Sequence, residues 1–423
     1  MELVKKSFPG KSQNTPARKI LYTLILLSLF RFGTTIPLAG IDQEALKRSF
    51  LQMENRNSIL QILNMYSSTS GNTLLSPFSL GIIPYINASI LVDLLTALIP
   101  SLEKLQSEEG EAGRRKLAFY KKLLSFLFAA VQSGFLIFYL KAYFYETNLF
   151  PLIVTGAELV TGSMIIIWIT NLIESKGIGN GTSIIIFTNI VTTLLSKNIF
   201  QGIQTDPLAL LEVAILTVFI GLICLSQIAR MNIQVVSARQ LAFLEKNKKT
   251  KKEMDLETTF QLRESGLSIR LNQAGIFPII IASNLLPFFS ILTGSLNLGE
   301  SGKWINSLFY YLAIIGFNYF YTLVFWDPEK ISEQLRKASV SIVNVTPGKA
   351  TISYLNNVVR STSLFGGIFL CFILLFYDFA KQILNAYLLN QINISSLIIA
   401  VGVAYELQKT VRALFNSILS VKE

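Results

Sequence analysis

Apolar runs long enough to cross a lipid bilayer recur along the whole sequence and constrain the fold more than any other feature. A helix needs about twenty consecutive, mostly apolar residues to span the hydrocarbon core. Only 15% of the 423 residues are charged, whereas a soluble domain usually carries about 25%. The chain is therefore predicted to be an all-α multi-pass membrane protein.

The apolar runs and the residues that interrupt them give ten candidate spans. They lie at about 20–38, 76–99, 117–140, 152–173, 182–196, 208–229, 275–292, 304–325, 362–379 and 394–415. The first run follows a basic stretch, as in a signal peptide, but Pro37 and Asp42 follow it without a small-residue cleavage site. We therefore interpret the first run as a retained span.

The distribution of Lys and Arg predicts the orientation. Counted with the adjoining span ends, the two tails and the loops after spans two, four, six and eight hold 29 of these residues, whereas the other loops hold 7. Segments on the side of synthesis carry the excess of positive charge, so both termini are expected there. This topology also explains the formal net charge of +11.

The residue inventory excludes several kinds of chemistry. The sequence has no histidine, so it offers neither an imidazole base nor an imidazole metal ligand. Cys224 and Cys371 fall inside apolar runs and are expected to be buried, unreactive thiols. The sequence has no glycine-rich loop ending in Gly-Lys-Ser/Thr, which argues against nucleotide hydrolysis. We therefore expect no enzymatic activity, no cofactor and no metal.

Residues 50–75 form neither a span nor a plain loop. The segment begins with apolar residues, including Leu51, Ile59 and Met65, and continues as a run of Ser, Thr, Gly and Asn. This pattern predicts a short re-entrant helix, which is tolerated only where protein or a water-filled cavity surrounds it. The alternative is an amphipathic helix at the membrane interface.

The second span contains a carboxylate, Asp93. A charged side chain at the bilayer centre costs about 2.5–3.5 kcal/mol on insertion scales, so Asp93 is expected to face protein or water. Gln132, Ser283 and Asn284 lie in other spans and are its natural polar neighbours. Alternatively, Asp93 lies near the inside interface, since Pro100 follows within two turns.

Two spans carry isoleucines at four-residue spacing, Ile86 with Ile90 and Ile186 with Ile190. Residues at this spacing share one helix face. Taken alone, the pattern is typical of ordinary packing or lipid contact.

Two inside loops, residues 230–272 and 326–360, are longer and more basic than topology requires. One interpretation is a pair of solvated faces that fix the orientation of the chain. The other is a docking surface for a polyanionic or acidic partner, such as ribosomal RNA or a motor ATPase.

Six motifs resemble, in order, those of the SecY family, which forms the Sec protein-conducting channel. They are Arg31–Gly33 with Pro37 and Gly40–Asp42, Gly81–Ile90, Glu109–Arg115, Gly177–Gly181 with Ser183–Ile186, Asn272–Pro278, and Pro347–Thr351 with Tyr354, Leu355 and Arg360. The resemblance extends from about residue 18 to the end of the tenth span. A single glycine-rich turn is a weak signal, whereas six ordered motifs are specific.

The glycine-rich motif is expected to form a tight turn between spans four and five. Its residues are Gly177, Gly179, Asn180 and Gly181. Glycine adopts positive φ without a Cβ penalty, and asparagine is the next most tolerant residue.

The resemblance implies two pseudo-symmetric five-helix halves, roughly residues 1–200 and 201–423, with a re-entrant plug helix at about 58–73. It implies a pore that conducts unfolded preproteins and releases membrane helices through a lateral gate between spans two and seven. Branched apolar side chains in a narrow neck exclude water and ions yet yield to a peptide. The positions that match this ring are Ile86, Ile90, Ile186, Ile190, Ile280 and Ile399. At the gate, a polar cluster would stabilise the closed state only weakly, so that an apolar helix can compete for the slot. Its members would be Asp93, Gln132, Ser283 and Asn284.

The same resemblance implies partners. A SecE-type subunit would clamp the halves, a SecG-type subunit is a further candidate, and signal peptides, preproteins and membrane lipid are expected ligands. The two basic loops would dock a SecA motor ATPase or the ribosome, through Arg239, Lys248, Lys249, Lys251, Lys252, Arg263, Arg270, Pro347, Gly348, Lys349 and Arg360. The family usually has an arginine just before the Pro-Gly of the second loop, where this chain has Thr346, so contact at that tip is in question.

Two rival functions fit the sequence less well. A secondary transporter is also commonly built from five-plus-five spans, but Arg31, Asp93 and Glu158 are too scattered for a coupled ion site. An intramembrane enzyme would need an aspartyl pair, and Asp93 has no evident partner. Abundant Ile, Asn, Lys and Phe, with short loops, favour a plastid-encoded protein of the thylakoid membrane. A bacterial plasma membrane is the alternative.

Overall fold

A helix covers most of each of the ten apolar runs in a computed structural model of the protein. The structure describes residues 16–52, 75–107, 109–146, 148–196, 209–237, 266–295, 299–343, 345–384, 389 and 392–419. The helices are α1 Pro16–Thr34, α2 Gln43–Gln52, α3 Ile83–Leu98, α4 Pro100–Ser107, α5 Gly110–Leu140, α6 Leu149–Lys176, α7 Gly181–Ser196, α8 Ala209–Ile228, α9 Phe277–Ser295, α10 Gly299–Phe325, α11 Pro328–Lys337, α12 Lys349–Leu384 and α13 Ile394–Leu419. The strands are β1 Arg230–Ser237, β2 Gly266–Arg270 and β3 Val340–Ile342.

Six segments within the described residues are long and apolar enough to cross a membrane. They are Gly110–Phe138, Leu149–Lys176, Leu210–Ile228, Trp304–Lys337, Lys349–Leu384 and Ile394–Ala413. Three further apolar helical segments are shorter, at Ile83–Leu98, Gly181–Thr192 and Phe277–Leu286. These lengths and compositions are those of an integral membrane protein, and the ten-span count stays a prediction.

The main helix contacts fall into two groups. Helices α1, α3, α5, α6 and α7 pack with one another, as do α8, α9, α10, α12 and α13. The groups meet where α7 packs on α13 and where α3 touches α10. The segment before α3 also ties the first group together, because Ser163 of α6 donates a hydrogen bond to the carbonyl of Gly81.

Local sequence explains where the helix that carries Asp93 begins and ends. Pro84 lies in the first turn of α3, where its missing N–H removes no helical hydrogen bond. Pro100 disfavours helical backbone at Ile99, which is extended and ends the helix. The short helix α4 therefore starts directly after α3.

The prediction of an entirely helical fold was wrong in one place. The two basic loops contribute a three-stranded antiparallel sheet in the order β2-β1-β3, with Ile233 opposite Leu267 and Val236 opposite Ser341. Aliphatic side chains on one face of this sheet, including Ile269, cover Leu355 at the start of α12. The fold is therefore mostly, not wholly, α-helical.

Two predicted features lie outside the described residues. One is most of the predicted re-entrant segment, including the plug at 58–73. The other is the tip of the first basic loop, with Arg239, Lys248, Lys249, Lys251, Lys252 and Arg263. Their roles stay predictions.

Candidate functional site: an apolar constriction and its gate helices

The six isoleucines at the predicted ring positions lie in one apolar cluster. Four of them, on α3, α9 and α13, are buried, and the other two, on α7, are partly buried against the same cluster: Ile86, Ile90, Ile280 and Ile399, then Ile186 and Ile190. Helices of both groups contribute to this cluster. The six positions, on four helices, therefore belong to the same apolar core, which also includes residues of other helices, such as Leu26 and Phe219.

A side-chain hydrogen bond joins α3 and α9, the helices of the predicted gate. Nδ2 of Asn284 donates to Oδ1 of Asn87 over 3.2 Å, so the bond links the two helix groups. Asn284 is buried and Asn87 is partly buried. In an apolar setting two amides satisfy each other, because an unpaired one carries a desolvation cost.

Ser283 contacts a different partner from its neighbour Asn284. Its hydroxyl lies 3.4 Å from that of Tyr310 on α10, which in turn lies 2.7 Å from the hydroxyl of Ser395 on α13. This chain of hydroxyls joins three helices of the second group. It fixes α9 against its own group, not against α3.

Asp93 has a cationic partner that the sequence interpretation did not name. Its Oδ1 lies 2.7 Å from Nζ of Lys121 on α5, and its Oδ2 accepts a hydrogen bond from Ser89. The side chains of Lys121 and Asp93 are 22% and 32% exposed, so the pair is only partly desolvated. Gln132, also on α5, is buried, and its Oε1 makes no hydrogen bond within the described residues.

The predicted tight turn between the fourth and fifth spans joins α6 to α7. Gly179 has φ of +68°, which an L residue rarely adopts. Gly181 approaches the backbone of Thr170 so closely that a Cβ would collide with it. Asn180 does not have positive φ; its Oδ1 caps α7 by accepting from the N–H groups of Thr182 and Ser183.

The two basic loops carry the docking candidates that lie among the described residues. Arg360 and Lys349 are exposed on α12, Arg270 is partly buried on β2, and Gly348 has φ of +106° next to Pro347. The carbonyl of Thr346 accepts a hydrogen bond from Thr351, so this tip folds back on the first turn of α12.

An ion pair links α4, which follows α3 of the first group, to α11, which follows α10 of the second. Nζ of Lys330 on α11 lies 2.6 Å from Oε1 of Glu103 on α4. Both side chains are well exposed, so the bridge contributes little to stability.

Two side chains that were not predicted as site residues proved to be hydrogen-bond or ion-pair partners of predicted ones. Asn87 is a polar residue of the predicted second span. Pairing it with Asn284, the amide side chain of the predicted seventh span, would have identified it. Lys121 lies about three turns into α5 and one turn past the start of the predicted apolar run at 117. Its partnership with Asp93 depends on the rotation of two helices about their axes, which hydropathy does not give.

The apolar helices, the cluster that both helix groups share and the amide pair that joins α3 to α9 define a multi-pass membrane protein with two helix groups packed on one apolar core. The SecY family model matches residues 76–408, so the chain belongs to the SecY family. It is 35% identical to the protein translocase subunit SecY of Vaucheria litorea, over 94% of this chain and 95% of that protein.

Two solved structures share the fold at low sequence identity. One is a protein-conducting channel, with 15% identity, a TM-score of 0.62 and coverage of 95% of this chain and 93% of that chain. The other is Sec61 in the canine ribosome–channel complex from the endoplasmic reticulum, with 16% identity, a TM-score of 0.57 and the same coverage.

Proposed function

We propose that the chain is the pore-forming subunit of a Sec translocon, with its constriction at Ile86, Ile90, Ile186, Ile190, Ile280 and Ile399. The observation that carries the proposal is the gathering of these side chains, from α3, α7, α9 and α13, in one apolar cluster. A neck of branched alkyl groups dewets when empty and deforms around an extended chain. Conduction of this kind needs no catalytic group, cofactor or metal.

The proposed architecture has ten spans in two halves, 1–200 and 201–423, with both termini inside and a plug beneath the ring at about 58–73. The two packing groups of helices support the halves. The backbone of Leu75, which follows the predicted plug, exchanges hydrogen bonds with the side-chain amide of Gln43. This anchor would fix the end of the plug against α2.

The lateral gate is proposed to lie between α3 and α9. Its closed state would rest on the Asn87–Asn284 hydrogen bond, which an apolar helix entering the slot would break. The other members of the polar cluster would attach each gate helix to neighbouring helices of its own group. Asp93 ties α3 to α5 through Lys121, Ser283 ties α9 to α10, and Gln132 lies buried on α5.

Energy for transport would come from a partner on the inside face. Exposed Lys349 and Arg360 support docking of a SecA motor or a ribosome, together with the basic tip at 238–265. A SecE-type subunit would clamp the halves, and a SecG-type subunit would be an accessory. A plastid thylakoid membrane is favoured by composition and by the algal relative, with a bacterial plasma membrane as the alternative.

Reconstitution tests the proposal. The chain, a SecE-type subunit and a SecA motor would be placed in proteoliposomes with a secretory preprotein and ATP. Protease protection of the preprotein that depends on its signal peptide supports the proposal. Absence of protection, with a known SecY complex active in parallel, contradicts it.

A further inference from the structure

A cavity of about 310 Å³, lined by polar and apolar groups in similar measure, lies beside the proposed constriction. Ile276 and Gly402 line it, and these residues precede Ile280 on α9 and follow Ile399 on α13 by about one turn. One turn of helix is a shift of about 5.4 Å. In the proposed topology α9 runs outward and α13 runs inward, so both steps lead to the inside. The cavity therefore borders the inner mouth of the proposed pore.

Two side-chain amide nitrogens among the residues that line the cavity make no hydrogen bond within the described part of the chain. Gln227, at the end of α8, is only 5% exposed, and its Nε2 makes no hydrogen bond within the described residues. Nε2 of Gln273 is likewise buried and unpaired there. Both residues line the cavity. A buried polar group without a partner is energetically unfavourable, so these amide nitrogens can donate to a ligand or to water.

The remaining walls do not select for charge. Arg270 and Glu406 line the cavity together and offer opposite charges, and Glu406 is exposed at its mouth. Phe277 and Tyr321 add stacked rings with centroids 5.4 Å apart. Side-chain amides next to apolar surface suit another amide, which brings one donor and one acceptor. Main-chain amides are the one feature that every unfolded polypeptide shares.

We propose that this cavity is a subsite that binds main-chain amide groups of the translocating polypeptide just before the constriction, through Gln227 and Gln273. The inference rests on the proposed function, since it places the substrate at this mouth. Binding to the main chain tolerates any sequence. The subsite would hold the chain in register with the ring without choosing among substrates.

A stalled preprotein with a single cysteine tests the proposal in proteoliposomes. Native Cys224 and Cys371 are replaced by alanine, and cysteine is introduced at Gln273 or at Ile280 for disulfide crosslinking. An extended chain rises about 3.3 Å per residue, and Gln273 lies beyond Ile276, which is itself one turn from Ile280, so the positions that crosslink best at the two sites should differ by at least about two residues. Replacing one substrate amide by an ester at that position should reduce crosslinking at the cavity about threefold to tenfold, the range of one hydrogen bond.

Changes in the channel give a second readout. Gln227→Leu should reduce the Gln273→Cys crosslink by a similar factor. Ser226→Ala is the matched control, because Ser226 is equally buried but bonds to Ile223 in its own helix. Crosslinking at Ile280 without crosslinking at Gln273, or a Gln273 crosslink insensitive to both the ester and Gln227→Leu, overturns the subsite and leaves the pore standing. Loss of crosslinking at Ile280 as well contradicts the proposed function itself.

Discussion

Nδ2 of Asn284 on α9 donates a hydrogen bond of 3.2 Å to Oδ1 of Asn87 on α3. It is a polar contact between two apolar helices that belong to different packing groups. Hydrogen bonds between membrane helices average about 0.6 kcal/mol and reach about 1.7 kcal/mol. In the proposed gate, such a bond would stabilise the closed state by an amount that binding of a signal peptide would overcome.

Asn284→Leu should therefore shift the gate toward the open state by about threefold, and by at most about twentyfold. Translocation of a preprotein with a weakened signal peptide measures this shift. Asn87→Leu should act in the same direction, and the double variant should show less than the sum of the two effects. Thr217→Val is the control, because Thr217 is exposed and bonds within α8. Unchanged stringency in both single variants would remove the amide pair from the gate.

Replacing Gly179 by alanine should destabilise the turn between α6 and α7. The φ of +68° costs an L residue about 1–2 kcal/mol, and Thr410 lies 3.4 Å from the new Cβ. Gly134→Ala, inside α5 with open space at its Cβ, should instead stabilise by about 0.5–1 kcal/mol. Thermal unfolding in detergent measures both. Equal shifts of Tm in the same direction would contradict the assignment of the turn.

Asp93→Asn should destabilise the contact between α3 and α5 by about 1–2 kcal/mol, between the values for surface and buried ion pairs. The reason is that it leaves the partly buried Lys121 without its carboxylate. Glu111→Gln breaks an exposed pair with Arg115 and should have almost no effect. The free energy of unfolding in denaturant compares the two variants. If they are equally mild, the Asp93–Lys121 pair does not stabilise the first helix group.

Ile280→Asn should raise the ion conductance of the resting channel in a planar bilayer, because an amide in the neck retains water. Ile280→Val keeps the neck apolar and should preserve the seal. A leak in both variants would indicate a packing defect, and a leak in neither would place the seal elsewhere.

The sequence predicted the apolar helices well, because a bilayer-crossing helix needs only length and hydropathy. It did not predict the sheet, since Ile233 and Ile269 lie in segments whose basic residues indicated solvated loops. It did not predict the partner of Asp93 either. Side-chain pairing across α3 and α5 depends on the rotation of each helix about its axis, and many rotations satisfy the same hydropathy.

The glycine-rich turn illustrates a finer limit. Its position between two helices followed from the motif, and the positive φ of Gly179 followed from glycine chemistry. Asparagine serves equally well in a left-handed turn or as a helix N-cap. Asn180 proved to be an N-cap. The two roles differ in the direction of the side chain, which the sequence does not give.

Crosslinking of a stalled secretory chain is the most direct measurement of where polypeptides cross this protein. Single cysteines at Ile86, Ile190 and Ile280 lie on three helices from both groups, and Leu312→Cys on the exposed face of α10 is the control. We expect one substrate position to crosslink to all three ring sites and not to Leu312→Cys. Crosslinks to the α10 control alone, with none to the three isoleucine positions, would show that polypeptides do not pass through the proposed constriction.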